Sequence, residues 1–164
     1  MKHLTVVAAA LLMLSACGKQ DAVPPAPTSS GGSPGARPDK MANGEPSVIT
    51  LKHILIAFEG AERSEQKRSK AEAQNLTYDL LGRAKSGEDF DKLMKEFSND
   101  PGGGTYTLVN EGVTPDTATG EFERHGMVPA FGDVGFRILV GEIGVAEYDP
   151  KTSPFGWHII KRIK

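Results

Sequence analysis

A sharp change in composition near residue 47 limits where this chain can fold. Residues 18–47 contain six prolines and a Thr-Ser-Ser-Gly-Gly run, but almost no large apolar side chain. Such a segment cannot bury enough apolar surface to offset the conformational entropy lost on ordering. We therefore predict a disordered linker at residues 18–47 and a single folded domain at residues 48–164.

The first 17 residues have the pattern of an export signal. A short charged start is followed by an apolar run at residues 4–14 and by two small residues before Cys17. About eleven apolar residues are too few for a membrane-spanning helix, which needs roughly 20. If the cysteine does not belong to a lipoprotein signal, the segment is either an ordinary signal peptide that happens to contain a cysteine or a buried apolar strand.

The sequence Leu-Ser-Ala-Cys at residues 14–17 resembles the lipobox of bacterial lipoproteins. The resemblance implies a signal peptide at residues 1–17 and lipidation of Cys17, whose several acyl chains would anchor the protein stably in a membrane. Gly18, rather than an aspartate, follows the cysteine. The resemblance therefore implies a lipid-anchored protein of the cell envelope, at the outer membrane and facing the periplasm.

Charge and cysteine content exclude several classes of function. The chain carries 19 Lys and Arg against 21 Asp and Glu, with both signs interspersed, so it lacks the basic surface of a nucleic-acid-binding protein. Its single cysteine cannot form an intramolecular disulfide or a cysteine-rich metal site. We predict no metal, no cofactor and no nucleic-acid partner.

Hydrophobic periodicity predicts the first half of the domain. Residues 48–58 read as a strand, with Leu51, His53 and Leu55 on one face and buried apolar residues on the other. Residues 69–84 carry apolar residues at spacings of three and four, as an amphipathic helix does. We expect a second helix to follow, capped by an aspartate and with Phe90, Leu93, Met94 and Phe97 turned inward.

The second half contains shorter elements. Residues 98–104 break the helical pattern, 105–110 alternate as a strand, and 111–119 have the composition of a surface loop. A short helix is predicted at residues 129–136, with proline in its first turn, and a final strand at residues 157–163. This order predicts a small α+β domain in which helices flank a largely antiparallel sheet.

Four segments, in this order and spacing, resemble the parvulin family of prolyl isomerases, also called the PpiC domain. They are Lys-His-Ile-Leu at 52–55, residues 90–103 ending in Ser-Asn-Asp-Pro-Gly-Gly, Met-Val-Pro-Ala-Phe at 127–131, and Phe-Gly-Trp-His-Ile-Ile at 155–160. The resemblance covers nearly all of residues 48–164. It implies a parvulin-like fold with FKBP-like topology.

The resemblance also implies roles for particular residues. His53 and His158 match a pair of neighbouring histidines on adjacent central strands beneath the substrate, and Asp100 matches a position that is aspartate in many bacterial members. These three are the candidate catalytic residues. Four further residues are candidates for substrate binding: Met127 and Phe131 as walls for the proline ring, Phe155 as a third wall, and Ser153 as a hydroxyl joining the histidine network.

Simpler interpretations stand beside these roles. Either histidine could be a hydrogen-bonded core residue that stabilises the sheet, and Asp100 could serve only the turn in which it lies. Met127 and Phe131, four residues apart, could be core residues of a short helix.

Two departures from the family pattern lie between the matched segments. The connection between residues 104 and 127 is about ten residues longer than usual, and it includes His125, which we expect to be a surface residue. Val128 stands where relatives often have glutamine. The loop after the first strand mixes acidic and basic residues and would bind an anion poorly, so we do not expect it to recognise phosphorylated substrates.

The function implied is a membrane-tethered peptidyl-prolyl cis/trans isomerase that assists folding of exported proteins. Its partners would be unfolded or proline-containing exported polypeptides, with the membrane reached through Cys17. The main alternative is a parvulin-fold chaperone that holds unfolded chains with little or no isomerase activity. A third is a structural subunit of an assembly.

Overall fold

The computed structural model describes residues 37–164. The predicted signal peptide, Cys17 and most of the predicted linker lie outside the described residues. Between residues 37 and 164, no helix is long and apolar enough to cross a bilayer.

The central strand β1, Val48–Ile56, has both faces buried, as its sequence predicts. Ile49 and Leu51 pack into an apolar cluster on one face, whereas Ile54 and Ile56 belong to a separate cluster on the other. Because successive side chains of a strand point to opposite faces, one strand contributes to both cores.

Five strands form one sheet in the order β3-β2-β1-β5-β4. The strands besides β1 are β2 (Thr105–Val109), β3 (Glu121–Glu123), β4 (Ile143–Ala146) and β5 (Trp157–Arg162). Three of the four pairings are antiparallel, and β3 runs parallel to β2. The predicted α+β fold is confirmed, with a mixed sheet.

Three helices cover the two faces of this sheet. Helices α1 (Lys70–Lys85) and α2 (Phe90–Phe97) pack on one face, and α3 (Pro129–Arg137) packs on the other. The side chain of Asp89 caps α2 by accepting hydrogen bonds from two backbone N–H groups of its first turn, 2.9 and 3.0 Å away. All three helices lie where the sequence predicts them.

Residues 37–47 contact the domain, which differs from their assignment to the disordered linker. The backbone N–H of Asn110 donates to the carbonyl of Ser47 at 2.8 Å, and Ser47 is only 4% exposed. Arg37 forms an ion pair with Glu121 at 2.7 Å. Polar contacts replace the apolar burial that the composition lacks, so the folded unit extends upstream of the predicted start at residue 48.

Candidate functional site

Two buried histidines lie side by side on the central strands. His53 of β1 pairs with Ile160 of β5, and His158 of β5 pairs with Leu55, so both histidines point to the same face of the sheet. Their Nδ1 atoms are 3.1 Å apart, and their rings stack at 18°. The structure thus brings together the two residues that the sequence predicts to be neighbours.

Asp100 extends this pair into a chain of three polar side chains. It lies in the turn after α2, with its Oδ2 2.9 Å from Nε2 of His53. The backbone N–H of Gly102 donates to Oδ1 at 3.1 Å, and that of Gly104 donates to Oδ2 at 3.2 Å. The turn therefore fixes the carboxylate, and the carboxylate fixes the ring of His53.

The hydroxyl of Tyr106 completes the shell around this carboxylate. It donates to Oδ2 of Asp100 at 2.9 Å, and the tyrosine ring meets the rings of His53 and Phe131 edge-on, with centroids 5.4 and 6.0 Å away. We did not predict Tyr106 as a site residue. Alternation in β2 would have found it only with the register known, since Tyr106 pairs with Leu51 and so shares the face of His53.

Burial and hydrogen bonding set the charge of these groups. Burial raises the pKa of Asp100, but hydrogen bonds from His53, the Gly102 amide and Tyr106 outweigh it, so the net pKa is well below the usual range. Burial and the hydrogen bond to Asp100 raise the pKa of Tyr106 to about 12. Burial, reinforced by His53, lowers the pKa of His158 to about 3. Near neutral pH the site therefore contains a carboxylate, a neutral phenol and a neutral imidazole at these three positions.

Charge fixes one proton position in the chain of side chains. An ionised carboxylate can only accept hydrogen bonds, so Nε2 of His53 must carry a hydrogen and donate it to Asp100. Nε2 of His158 is buried and has no hydrogen-bond partner within residues 37–164. Of the three side chains, this nitrogen is the polar atom left without a protein partner.

A cleft of about 860 Å³ lies above these groups. Met127 and Val128 precede α3, Phe131 lies in its first turn, and Phe155 comes from the turn before β5, so two separate segments form the apolar walls. Phe131 meets His53 edge-on with ring centroids 4.9 Å apart. The rim is charged and carries both signs, with Glu62, Arg63, Glu65 and Lys151.

Six of the seven candidate site residues line this one cleft. These are His53, Asp100, Met127, Phe131, Phe155 and His158. Ser153 does not: it is fully buried, and its hydroxyl donates to the carbonyl of Gly156 at 2.9 Å. The expected hydroxyl contact with the histidines is corrected accordingly, because the backbone carbonyl three residues along the chain takes the hydroxyl hydrogen.

Other polar clusters lie outside the cleft. His125 is exposed, as expected, and its Nε2 lies 2.8 Å from a carboxylate oxygen of Glu123. Across residues 37–164, no group of three or more His, Cys, Asp and Glu side chains could hold a metal ion.

The low pKa of His158 predicts a pH-dependent stability. The histidine of the unfolded chain gains a proton near pH 6.5, whereas the folded one stays neutral down to about pH 3. The contribution of His158 to the free energy of unfolding is therefore fully present above pH 6.5. It decreases as the pH falls through this window, by roughly 1.4 kcal/mol per pH unit. Urea denaturation at pH 7, 6, 5 and 4 measures this slope.

A matched pair of variants isolates the contribution of His158. His158→Asn keeps a nitrogen near the position of Nδ1. It should reduce by about one the number of protons taken up on unfolding, and so make the dependence of stability on pH less steep. The same substitution at the exposed His125 should leave the slope unchanged. Equal slopes in the wild type and His158→Asn would show that another group causes the pH dependence.

Comparisons with known proteins agree with this fold. The family model of the PPIC-type PPIase domain matches residues 39–163. The peptidyl-prolyl isomerase ESS1 from Candida albicans has a similar fold, with a TM-score of 0.57 and 21% sequence identity, over 74% of this chain and 69% of that one.

Two curated relatives are similar in sequence over the same domain. Chaperone SurA from Pseudomonas aeruginosa is 32% identical over 113 residues, which is 69% of this chain and 22% of SurA. Foldase protein PrsA from Caldanaerobacter subterraneus subsp. tengcongensis is 35% identical over 114 residues, 70% of this chain and 28% of PrsA. The chain thus spans about a quarter of the length of these relatives. Because the family model matches most of the chain, the protein belongs to the PPIC-type parvulin family of peptidyl-prolyl isomerase domains.

Proposed function

We propose that the protein is a peptidyl-prolyl cis/trans isomerase that acts on exported polypeptides. The observation that carries the proposal is the position of the apolar walls, Met127, Phe131 and Phe155, above the chain of Asp100, His53 and His158. The walls have the chemistry to hold a proline ring. The three polar side chains form the floor of the cleft, and they have the chemistry to orient the amide that turns above them.

Catalysis of prolyl isomerisation requires a site that binds the twisted amide more tightly than the planar one. Rotation about an X-Pro bond is slow because amide resonance gives a barrier of about 18–20 kcal/mol. Each 1.36 kcal/mol by which a site prefers the twisted form speeds the reaction about tenfold. Twisting breaks the resonance and lowers the charge separation of the amide, so an apolar environment favours it over the planar form.

The polar chain contributes rigidity to this cleft. Asp100 is held by two backbone N–H groups and by Tyr106, and it holds His53, which meets the wall residue Phe131 edge-on. Floor and wall therefore support each other. A site that is already arranged for the twisted amide need not reorganise as the bond turns.

Acceleration of a proline-limited refolding reaction tests this proposal. Wild-type protein should speed the slow phase at substoichiometric concentration, and Met127→Ala should lower kcat/KM at least tenfold because it removes one wall. Leu139→Ala is the matched control, because Leu139 is 66% exposed and lies outside the cleft. An unaccelerated slow phase would refute the proposal.

Similarity to a protein named chaperone SurA supports a second candidate, a domain that holds unfolded chains. The cleft could bind a proline-containing segment without speeding its rotation. Aggregation of an unfolded client, measured beside the refolding rate, separates the two functions. Suppressed aggregation with an unchanged slow phase would favour the chaperone.

We propose also that Cys17 carries a lipid anchor that holds the domain at the outer membrane, facing the periplasm. The support is the sequence pattern of residues 1–17 and the proline-rich segment that follows. Radiolabelled fatty acid should be incorporated into the wild type but not into Cys17→Ser. Adding Ser29→Cys to that variant controls for a cysteine elsewhere and should not restore labelling, while cell fractionation tests the membrane assigned.

A further inference from the structure

Arg124, which lies in the connection that leads to the Met127 wall, joins three segments of the chain. Its Nη1 lies 3.0 Å from a carboxylate oxygen of Glu45 and 3.1 Å from Oδ1 of Asn110, and its Nη2 lies 2.8 Å from a carboxylate oxygen of Asp133. The guanidinium also lies over the ring of Phe136, 4.7 Å from the centroid. One side chain thus ties residues 37–47 and the end of β2 to α3.

Asn110 is the buried centre of these contacts. It is 4% exposed, and its amide nitrogen donates to Glu45 and to the carbonyl of Pro46, each at 3.0 Å. Its amide oxygen accepts from Arg124 and, at 2.8 Å, from the backbone N–H of Glu111. A buried amide with its groups satisfied on both sides has little freedom to move, so the network around it is rigid.

The same arginine lies directly against the helix that carries a cleft wall. A Cβ added at Gly132 of α3 would be 3.2 Å from Cγ of Arg124, so the stem of the arginine rests on the helix next to Phe131. The carbonyl of Arg124 also accepts the backbone N–H of Met127 at 3.1 Å. Arg124 therefore contacts the elements that hold both Met127 and Phe131.

We propose that Arg124 is a positioning residue for the substrate cleft, supported by Glu45 from the segment 37–47. This inference rests on the proposed isomerase function. Arginine suits the role because its planar fork bonds several oxygens at once in fixed directions. The Met127 wall is then placed by contacts that begin outside the four segments that resemble the parvulin family, in a part of the chain upstream of the sheet.

A second contact fastens the upstream segment to the long connection that ends at this wall. Arg37 pairs with Glu121 of β3, whose backbone lies between the 110–120 segment and Arg124. Residues 37–47 are thus attached to the connection between β2 and α3 at Asn110, Glu121 and Arg124. Weakening either the Glu45 contact or the Arg124 fork should loosen the Met127 wall.

Arg83 provides a matched control for Arg124. It also pairs with two carboxylates, Glu88 at 2.7 Å and Asp79 at 3.6 Å, and lies over an aromatic ring, that of Phe97, at 5.2 Å. It is on α1 and does not line the cleft. Arg83→Gln removes the same kind of network at a site with no connection to the Met127 wall.

The experiment compares full-length Arg124→Gln, Arg124→Lys, Glu45→Gln and Arg83→Gln with the wild type. Steady-state isomerisation of a proline peptide gives KM and kcat, and the 13C-methyl NMR signal of Met127, assigned with Met127→Leu, reports the wall directly. Arg124→Gln should raise KM about tenfold with little change in kcat and should shift or broaden the Met127 signal. Glu45→Gln and Arg124→Lys should give smaller changes in the same direction. Arg124→Lys keeps the positive charge, and Glu45→Gln keeps an oxygen that can accept from the arginine.

The two readouts separate this inference from the proposed function. A Met127 signal and a KM in Arg124→Gln that match those of Arg83→Gln would overturn the positioning role. If Arg124→Gln and Arg83→Gln raise KM by the same factor, the effect is a general one of lost stability, and the positioning role is also overturned. If the wild type has no isomerase activity, the proposed function fails, and the Met127 signal still decides whether Arg124 positions the wall.

Discussion

Replacing Gly156 with alanine is expected to destabilise the domain by about 3 kcal/mol or more, a large share of the roughly 5–15 kcal/mol that stabilises an ordinary protein. A Cβ at this position would lie 2.3 Å from the carbonyl oxygen of Ile56 and 3.0 Å from Cα of Ala57. Those atoms belong to the backbone of the central sheet and to its continuation, so they cannot move aside as a flexible side chain would.

Backbone conformation adds to this steric cost. Gly156 has φ +138°, which L-residues rarely adopt, and its carbonyl accepts the hydroxyl of Ser153. Its turn leads directly into β5 and so sets the position of His158. Loss of this glycine should therefore damage the site as well as the fold.

Urea denaturation followed by Trp157 fluorescence measures the effect, with Gly82→Ala as control. Gly82 lies inside α1 with no atom within 4 Å of an added Cβ, so alanine there should stabilise the protein by about 1 kcal/mol. Opposite signs for the two Gly→Ala changes are the expected result. A fully folded Gly156→Ala with unchanged stability would contradict the described backbone of this turn.

Phe131→Ala is expected to cost about 3–5 kcal/mol of stability and to remove isomerase activity in the fraction that remains folded. Phe131 is 1% exposed and packs with Ile49, Leu51 and Ile160 in one apolar cluster, while also lining the cleft. Interpretation as a core residue and interpretation as a pocket wall are therefore both supported by the geometry. The substitution should affect the two properties together.

A second phenylalanine separates the loss of activity from the loss of stability. Phe90 is 4% exposed and packs in the cluster on the opposite face of the sheet, away from the cleft. Phe90→Ala should lower stability by a similar amount yet retain kcat/KM per folded molecule. If both variants, assayed at low temperature with the folded fraction measured, retain the same kcat/KM, Phe131 is not part of the substrate site.

The elements that the sequence predicted are those with a local physical signal. The capped helix α2 and the proline-started helix α3 show their termini and apolar faces within a few residues. β1 shows a run of buried residues with period two. In each case neighbours along the chain supply most of the information that decides the structure.

The three-residue strand β3 was not predicted because its order depends on distant partners. Glu121 and Glu123 flank a single apolar residue, so the segment has no recognisable alternation. It pairs with β2, and Arg37 holds Glu121 from another part of the chain. Residues 37–47 are ordered in the same way, by polar contacts to residues more than 60 positions along the chain.

The candidate site shows the same division. The histidines and Asp100 were predicted from a family resemblance, and the strand register then explains why they meet. The sequence does not identify Tyr106, because the face on which its ring lies follows from the register between β2 and β1. The contact predicted for Ser153 differs from the observed one, because its hydroxyl donates to a carbonyl of its own turn. Only the folded geometry decides between a carboxylate and a backbone carbonyl as the acceptor.

We propose above that the cleft over His53 and His158 speeds rotation of a prolyl bond. NMR exchange spectroscopy on a short peptide with one X-Pro bond measures this rotation without coupling to folding or proteolysis. Uncatalysed exchange takes tens to hundreds of seconds at 25 °C. With a few per cent of full-length protein added, we expect cis/trans exchange cross-peaks on the sub-second scale, and their loss in Phe131→Ala. Peptide signals that shift on binding while the exchange rate stays at its uncatalysed value would contradict the claim.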